Sequence, residues 1–248
     1  RSGGKVSVRT VNGKQVVTGR YSNRIRIVKG SFVEIGEPDI LYINDGNAKF
    51  TKVNWLDGNW LDESGQPIKK EFWDLGLSVM IRDINQDGLP DIYNCNDFQT
   101  PDRLWINKGN GKFQLVNEMS IRHRSYFAMA VDFADINRDG HDDFFVADMI
   151  SPTHLLEMTQ AGITNPFVKP IDEFIDRPII HRNTLYVNRG DNTYMETANY
   201  SGVSATEWTW GSTFMDVDLD GLEDLLIANG HAFDTQDLDA MERTSTFG

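Results

Sequence analysis

The chain has 248 residues, 40% hydrophobic and 11% aromatic, which suits one large globular domain or two small ones with a sizeable core. Its 37 acidic and 24 basic side chains leave a formal charge of −13, which argues against nucleic acid or an anionic membrane as partner. The lone Cys95 allows no internal disulfide or redox pair, no zinc-ligand spacing is present, and no apolar run approaches the length of a membrane span.

The charge is unevenly spread. Residues 1–30 carry eight Lys or Arg and no acid, so the rest of the chain stands at −21. This segment alternates Val with polar residues around Asn12-Gly13, a hairpin signal, and a further strand is expected over Ile25 to Val28. It is expected either to lie against an acidic neighbour or to be a pair of solvated edge strands that use their Lys and Arg against aggregation. The chain opens on Arg1 rather than Met, and a preceding signal or amino-terminal region is expected.

Next comes a repeated element. Leu41-Tyr42-Ile43-Asn44-Asp45-Gly46 ending in Phe50 matches Leu104-Trp105-Ile106-Asn107-Lys108-Gly109 ending in Phe113, and again Leu185-Tyr186-Val187-Asn188-Arg189-Gly190 ending in Tyr194. Each reads as strand, glycine turn and return strand.

A second repeat alternates with it. Asp83, Asn85, Asp87, Leu89 and Asp91 have the same spacing as Asp135, Asn137, Asp139, His141 and Asp143, and as Asp216, Asp218, Asp220, Leu222 and Asp224. Positions 1, 3 and 5 offer side-chain oxygens that a tight turn can gather, and Gly88, Gly140 and Gly221 at position 6 allow the reversal. Position 7 offers its backbone carbonyl, which leaves its side chain free to be Leu or His, and position 9 returns a carboxylate. An all-oxygen shell of this kind suits Ca²⁺, with about three ions expected for the chain. An EF-hand is excluded, because position 12 is Asn94, Val146 and Ile227 rather than Glu, and strands rather than helices follow. The simpler reading of one such loop is an Asp/Asn/Gly turn; three in one register favour the metal.

The strands entering the loops place Ser78, Ala130 and Gly211 in one column, and those leaving place Cys95, Ala147 and Ala228 in another. Small residues there imply close backbone approach, as near the axis of a radial assembly. The expected fold class is all-β, with β-propeller blades of four antiparallel strands and calcium loops, as part of a larger propeller. The expected organisation is a basic strand segment at 1–30, blades at 31–235 with insertions near 56–66 and 150–182, and a polar tail or linker at 236–248. A short helix is expected near His154 to Gln160 within the larger insertion.

These alternating motifs resemble those of FG-GAP or VCBS repeat proteins, calcium-binding β-propellers related in architecture to the integrin α-subunit head. The runs Val131 to Gly140 and Thr209 to Asp216 are similar to bacterial secreted members that often carry ASPIC/UnbV modules. The resemblance covers roughly residues 37–233 and implies a calcium-stabilised binding or adhesion module located outside the cell, at its surface or in the periplasm. A protein or glycan ligand is the expected partner, along with further segments or subunits that complete the propeller. The resemblance does not fix one activity. The literal Phe-Gly and Gly-Ala-Pro signature is missing, and residues 1–30 match no repeat.

No catalytic constellation emerges. His123, His154, His181 and His231 have neither ligand nor triad spacing, and Ser125 and Ser151 lack a nucleophile-elbow context. Trp55, Trp60 and Trp73 read either as a sugar platform or as packing, and Trp208 and Trp210 as packing. The alternative functions are an accessory or catalytic propeller of a polysaccharide-degrading enzyme, whose insertions would meet in one cleft, and a structural subunit of a larger extracellular assembly.

Overall fold

The computed structural model describes residues 6–20, 22–28, 30–98, 100–153 and 177–230. The expected helix at His154 to Gln160, most of the larger insertion, His231 and the tail at 236–248 lie outside the described residues.

The described chain is all-β except for a single 3-10 turn at Ser22–Arg24. Three two-stranded hairpins come first: β1 (Ser7–Val11) with β2 (Lys14–Thr18), β3 (Ile25–Val28) with β4 (Ser31–Glu34), and β5 (Tyr42–Asn44) with β6 (Phe50–Lys52). Asn12 and Gly13 turn the first hairpin at φ of 50° and 75°, the pair of left-handed residues that a two-residue turn demands. Both of its strands are largely exposed, and further along Arg24 pairs with Glu37 while Arg26 lies 4.8 Å over the Trp73 ring.

Sheet one comprises β7 (Trp60–Leu61), β8 (Gly76–Arg82), β9 (Asp91–Asn96), β10 (Arg103–Asn107) and β11 (Phe113–Leu115), in the order β7-β11-β10-β9-β8. All its pairings are antiparallel except β7 with β11. After it, β12 (Arg124–Ser125) runs parallel to a later short strand. Then follow β13 (Ala130–Ala134), β14 (Asp143–Ala147) and β15 (Met149–Ile150), and, past the larger insertion, β16 (Ile179–Ile180), the partner of β12. Sheet two is completed by β17 (Thr184–Asn188) and β18 (Tyr194–Glu196), in the antiparallel order β13-β14-β17-β18. Sheet three pairs β15 with β19 (Glu207–Met215) and β19 with β20 (Asp224–Asn229).

The sheets stack face to face because their central strands are apolar on both sides. Along β14 every residue is buried, and the two-residue period sends Phe144 and Val146 to one core and Phe145 and Ala147 to another. The first core joins sheets one and two through Tyr93, Phe133, Phe144 and Tyr186, whose rings meet at centroid distances of 4.5 to 6.0 Å. Each such side chain contributes about 1.5–3 kcal/mol by leaving water. The second core joins sheets two and three, and a third covers the outer face of sheet one. Across the lead strands, Ser78 faces Cys95, Ala130 faces Ala147 and Gly211 faces Ala228, so the two small-residue columns meet. The lead strand of sheet two, β13, touches β8 on one side and β19 on the other.

The tryptophans correct one reading. Trp55, Trp60 and Trp105 are buried against one another, and Phe113 stacks on Trp60 at 4.8 Å, so Trp55 and Trp60 are packing residues with no platform to offer. Trp210, expected to pack, is about half exposed and donates Nε1–H to Gly230 O.

Candidate metal centre

All three loops leave the same end of their sheets and share one conformation. Position 4 is left-handed in each (Gln86, Arg138 and Leu219, φ 61° to 63°), as is the position 6 glycine (φ 86° to 88°). Two left-handed residues so close together curl the chain tightly enough to bring the side-chain oxygens inward. The sequence pattern did not reveal position 4, because its three residues share no chemistry.

The hydrogen bonds repeat as well. Asp83 accepts N–H from Asp87 (3.1 Å) and Gly88 (2.9 Å), Asp135 from Asp139 (3.0 Å) and Gly140 (2.9 Å), and Asp216 from Asp220 (3.1 Å) and Gly221 (2.9 Å). Asn85, Asn137 and Asp218 at position 3 each take the position 5 N–H, and the Asp at position 5 takes that of Leu89, His141 or Leu222. These bonds hold the oxygens in place and use about one of the two lone pairs on each, leaving the rest for a cation.

Position 9 serves a further purpose. Asp91 and Asp143 are fully buried; one oxygen of each accepts the N–H of Ile84 or Ile136 within the loop, and the other that of Asn107 (2.8 Å) or Asn188 (2.8 Å) on the neighbouring strand. Those asparagines belong to the glycine-turn repeat, and they reach back to Pro90 O and Asp142 O. The two sequence repeats are thus one bonded unit. Asp224 accepts the N–H of Val217, but no neighbouring-strand bond is found for it among the described residues.

The side chains at position 7 have a packing role. A β-carbon built on Gly109 would lie 3.6 Å from Leu89 Cδ1, and one on Gly190 would lie 3.0 Å from His141 Nε2, so these side chains cover the glycine of the next turn. The freedom to be Leu or His at position 7 is therefore used, in these two loops, to pack against the neighbouring turn.

Asp216, Asp218 and Asp224 each place a carboxylate oxygen within 4.8 Å of the other two. The same three positions are Asp, Asn and Asp in the other loops. Burial pushes Asp143 up to about 6, with Asp139 and Asp135 adding to it, and burial likewise raises Asp91. A hard divalent cation fits such a site, with an all-oxygen donor set, crowded carboxylates and geometry fixed by backbone N–H groups. Neighbouring loops also touch: Gln86 donates to Gly140 O, Arg82 pairs with Asp142, and Arg138 lies 3.9 Å from Glu223.

The far end of the sheets is different. There a cavity of about 590 Å³ is lined by Arg26, Phe72, Trp73, Asp74, Arg103 and Arg177, among others, with Arg103 paired to Asp74 and 3.8 Å over the Phe72 ring. Among the described residues the histidines form no cluster: His181 packs on the Tyr126 ring at 4.3 Å, and burial lowers its pKa. Ser125 donates to Asp148, and Ser151 to Glu207. No described helix is long and apolar enough to cross a membrane.

No curated protein matches the chain. Residues 83–146 match the family model of the FG-GAP-like repeat, a span that opens on the first loop, takes in the glycine-turn hairpin of sheet one and ends on the strand after the second loop. That span is similar to an FG-GAP-like repeat, and the same loop conformation is built a third time at Asp216 to Asp224, outside the matched span.

Proposed function

We propose that the chain is a calcium-stabilised, extracytoplasmic binding or adhesion module whose sheets are blades of a β-propeller. The carrying observation is the shared backbone conformation and internal hydrogen bonding of three loops, in one of which three carboxylate oxygens lie within 4.8 Å of one another. In this reading each Ca²⁺ takes oxygens from positions 1, 3, 5, 7 and 9, and its work is structural. It offsets the burial, and then the neighbouring charges of Asp139 and Asp135, that raise Asp143, and binding to the folded state alone adds about 2.7 kcal/mol per site at a hundredfold excess over the dissociation constant. The ligand, a protein or glycan, is placed at the opposite end, where the mixed-charge cavity with aromatic walls supplies both hydrogen-bonding groups and a ring face. No enzymatic role is proposed.

Native mass spectrometry and thermal unfolding, with calcium and with chelator, test this. Three bound ions per chain and a clearly higher midpoint in calcium are expected; an unchanged midpoint with no bound ion would sink the metal reading.

A further inference from the structure

Away from the loops, sheets one and three end in the same way, and one of them lacks a group that the other has. Thr209 pairs with Asn229 just before a register shift to Gly211, and Gly76 pairs with Asn96 just before the same shift to Ser78. In sheet three the Thr209 hydroxyl donates to Asn229 Oδ1 at 2.9 Å. In sheet one the residue in that place is a glycine and has no hydroxyl, so Asn96 Oδ1 is left without a donor although the side chain is fully buried. The amide nitrogen of Asn96 is engaged, donating to Pro101 O. A buried acceptor left unpaired keeps its full desolvation cost, which a bound donor would remove.

A carboxylate faces the same gap. A β-carbon built on Gly76 would lie 2.9 Å from Asp39 Oδ1 and 3.7 Å from Asn96 Oδ1, and the next atom is Asp39 Cγ at 3.8 Å. Asp39 is held there by its other oxygen, which accepts Nδ2–H of Asn94 (3.1 Å), and by its backbone carbonyl, which accepts Nε1–H of Trp55 (2.6 Å). No cation pairs with Asp39 among the described residues: Arg103, whose charge reaches it, is already paired with Asp74. Burial, and then the charge of Asp74, hold the Asp39 carboxyl above its ordinary pKa. Two carboxylates and one guanidinium leave one negative charge unbalanced, beside an acceptor that lacks a donor.

We propose that this gap seats a lysine ammonium presented by a protein ligand, with Asp39 as its countercharge and Asn96 Oδ1 as a second acceptor. One positive charge balances the site, and an ammonium brings donors and no acceptor. Its compact head suits a gap left by one missing side chain, whereas the planar fork of an arginine does not. A cavity of about 400 Å³ is lined by Asp39, Gly76, Ile40 and Leu77, among others, and the last two are exposed apolar side chains along which a lysine stem can lie. At longer range the formal charge of −13 favours a basic partner. The inference rests on the reading of the far end as the ligand end, and it names the group recognised there.

NMR titration of the full chain in calcium tests it, with Nα-acetyl-lysine amide as the probe and the Trp55 indole N–H as the reporter. A saturable shift is expected. Asp39→Asn, which removes the charge and keeps the shape, should weaken binding at least tenfold. Gly76→Thr should abolish it by placing a hydroxyl in the gap, as Thr209 does in sheet three. The same probe acetylated at Nε has lost its charge and should not bind. No shift with the lysine probe overturns the proposal, whether a water or another segment of this chain then fills the gap. Equal binding to Asp39→Asn overturns it too, as does the same shift from sodium chloride at the probe's concentration. Tighter binding of glucosamine would overturn the assignment to a protein ligand while leaving a ligand site at the far end. The unfolding midpoint of the same samples, with calcium and with chelator, reports separately on the loops: a calcium response that survives failure of the lysine probe sinks this inference alone.

Discussion

The two ends of the sheets follow opposite rules. At the loop end, three copies repeat the same short-range bonds between residues at most seven apart, such as Gly140 N–H to Asp135 and Ile136 N–H to Asp143. At the far end, the equivalent positions Asn96, Asp148 and Asn229 are used in three different ways. Asn96 donates to Pro101 O, and Asn229 accepts from Thr209 Oγ1. Asp148 gathers Ser125 Oγ–H and the N–H groups of Tyr126, Phe127 and Met149. On the function proposed above, repetition marks the end whose task is common to every sheet, and individuality marks the end where one ligand would be told from another.

The sharpest way to break this contrast is Asp148→Ala. Four donors to one buried carboxylate would be left without an acceptor, and a loss of about 3 kcal/mol or more in urea unfolding is expected, with calcium unable to restore it. Asp143→Ala comes next. It removes the link between the second loop and Asn188, so about 2–3 kcal/mol should be lost and one ion should disappear from the native mass. A midpoint that stays put in either variant would show that the bond pattern is incidental.

The smallest effect is that of pH on the far end. Burial, and then the charge of Asp148, pushes Asp97 up to about 6. A carboxyl raised in this way holds its proton longer when folded, so its contribution is fully present below the usual Asp pKa and is lost as pH rises through about 6. In chelator, the midpoint of the wild-type chain should therefore fall between roughly pH 5 and 7, and Asp97→Asn should flatten the slope by no more than about 1 kcal/mol after screening. A slope unchanged by the substitution would mean that other groups set it.

Much of the loop conformation could be read in advance, because the spacing of Asp, Asn and Gly in the loops, glycine turns and two-residue alternation are local properties of the chain. The hairpin at Asn12-Gly13, the facing small-residue columns and the exclusion of an EF-hand all came from spacing alone. What stayed hidden depends on neighbours in space. The bonds from Asp91 to Asn107 and from Asp143 to Asn188 cross 16 and 45 residues, and the left-handed position 4 carries Gln, Arg or Leu with equal ease. The far end was illegible for the same reason. Arg103, Asp74 and Phe72 meet there only because sheet one brings them together, and nothing in their spacing announces it.

Cys95 gives the molecule a built-in clock. The thiol is fully buried in the core between sheets one and two, and burial pushes its pKa well above that of an ordinary cysteine. An alkylating reagent can reach it only when those two sheets separate, so its labelling rate measures how often the stack opens. Followed with and without calcium, that rate would tell whether ions held at one end of the sheets slow a breathing motion in their middle.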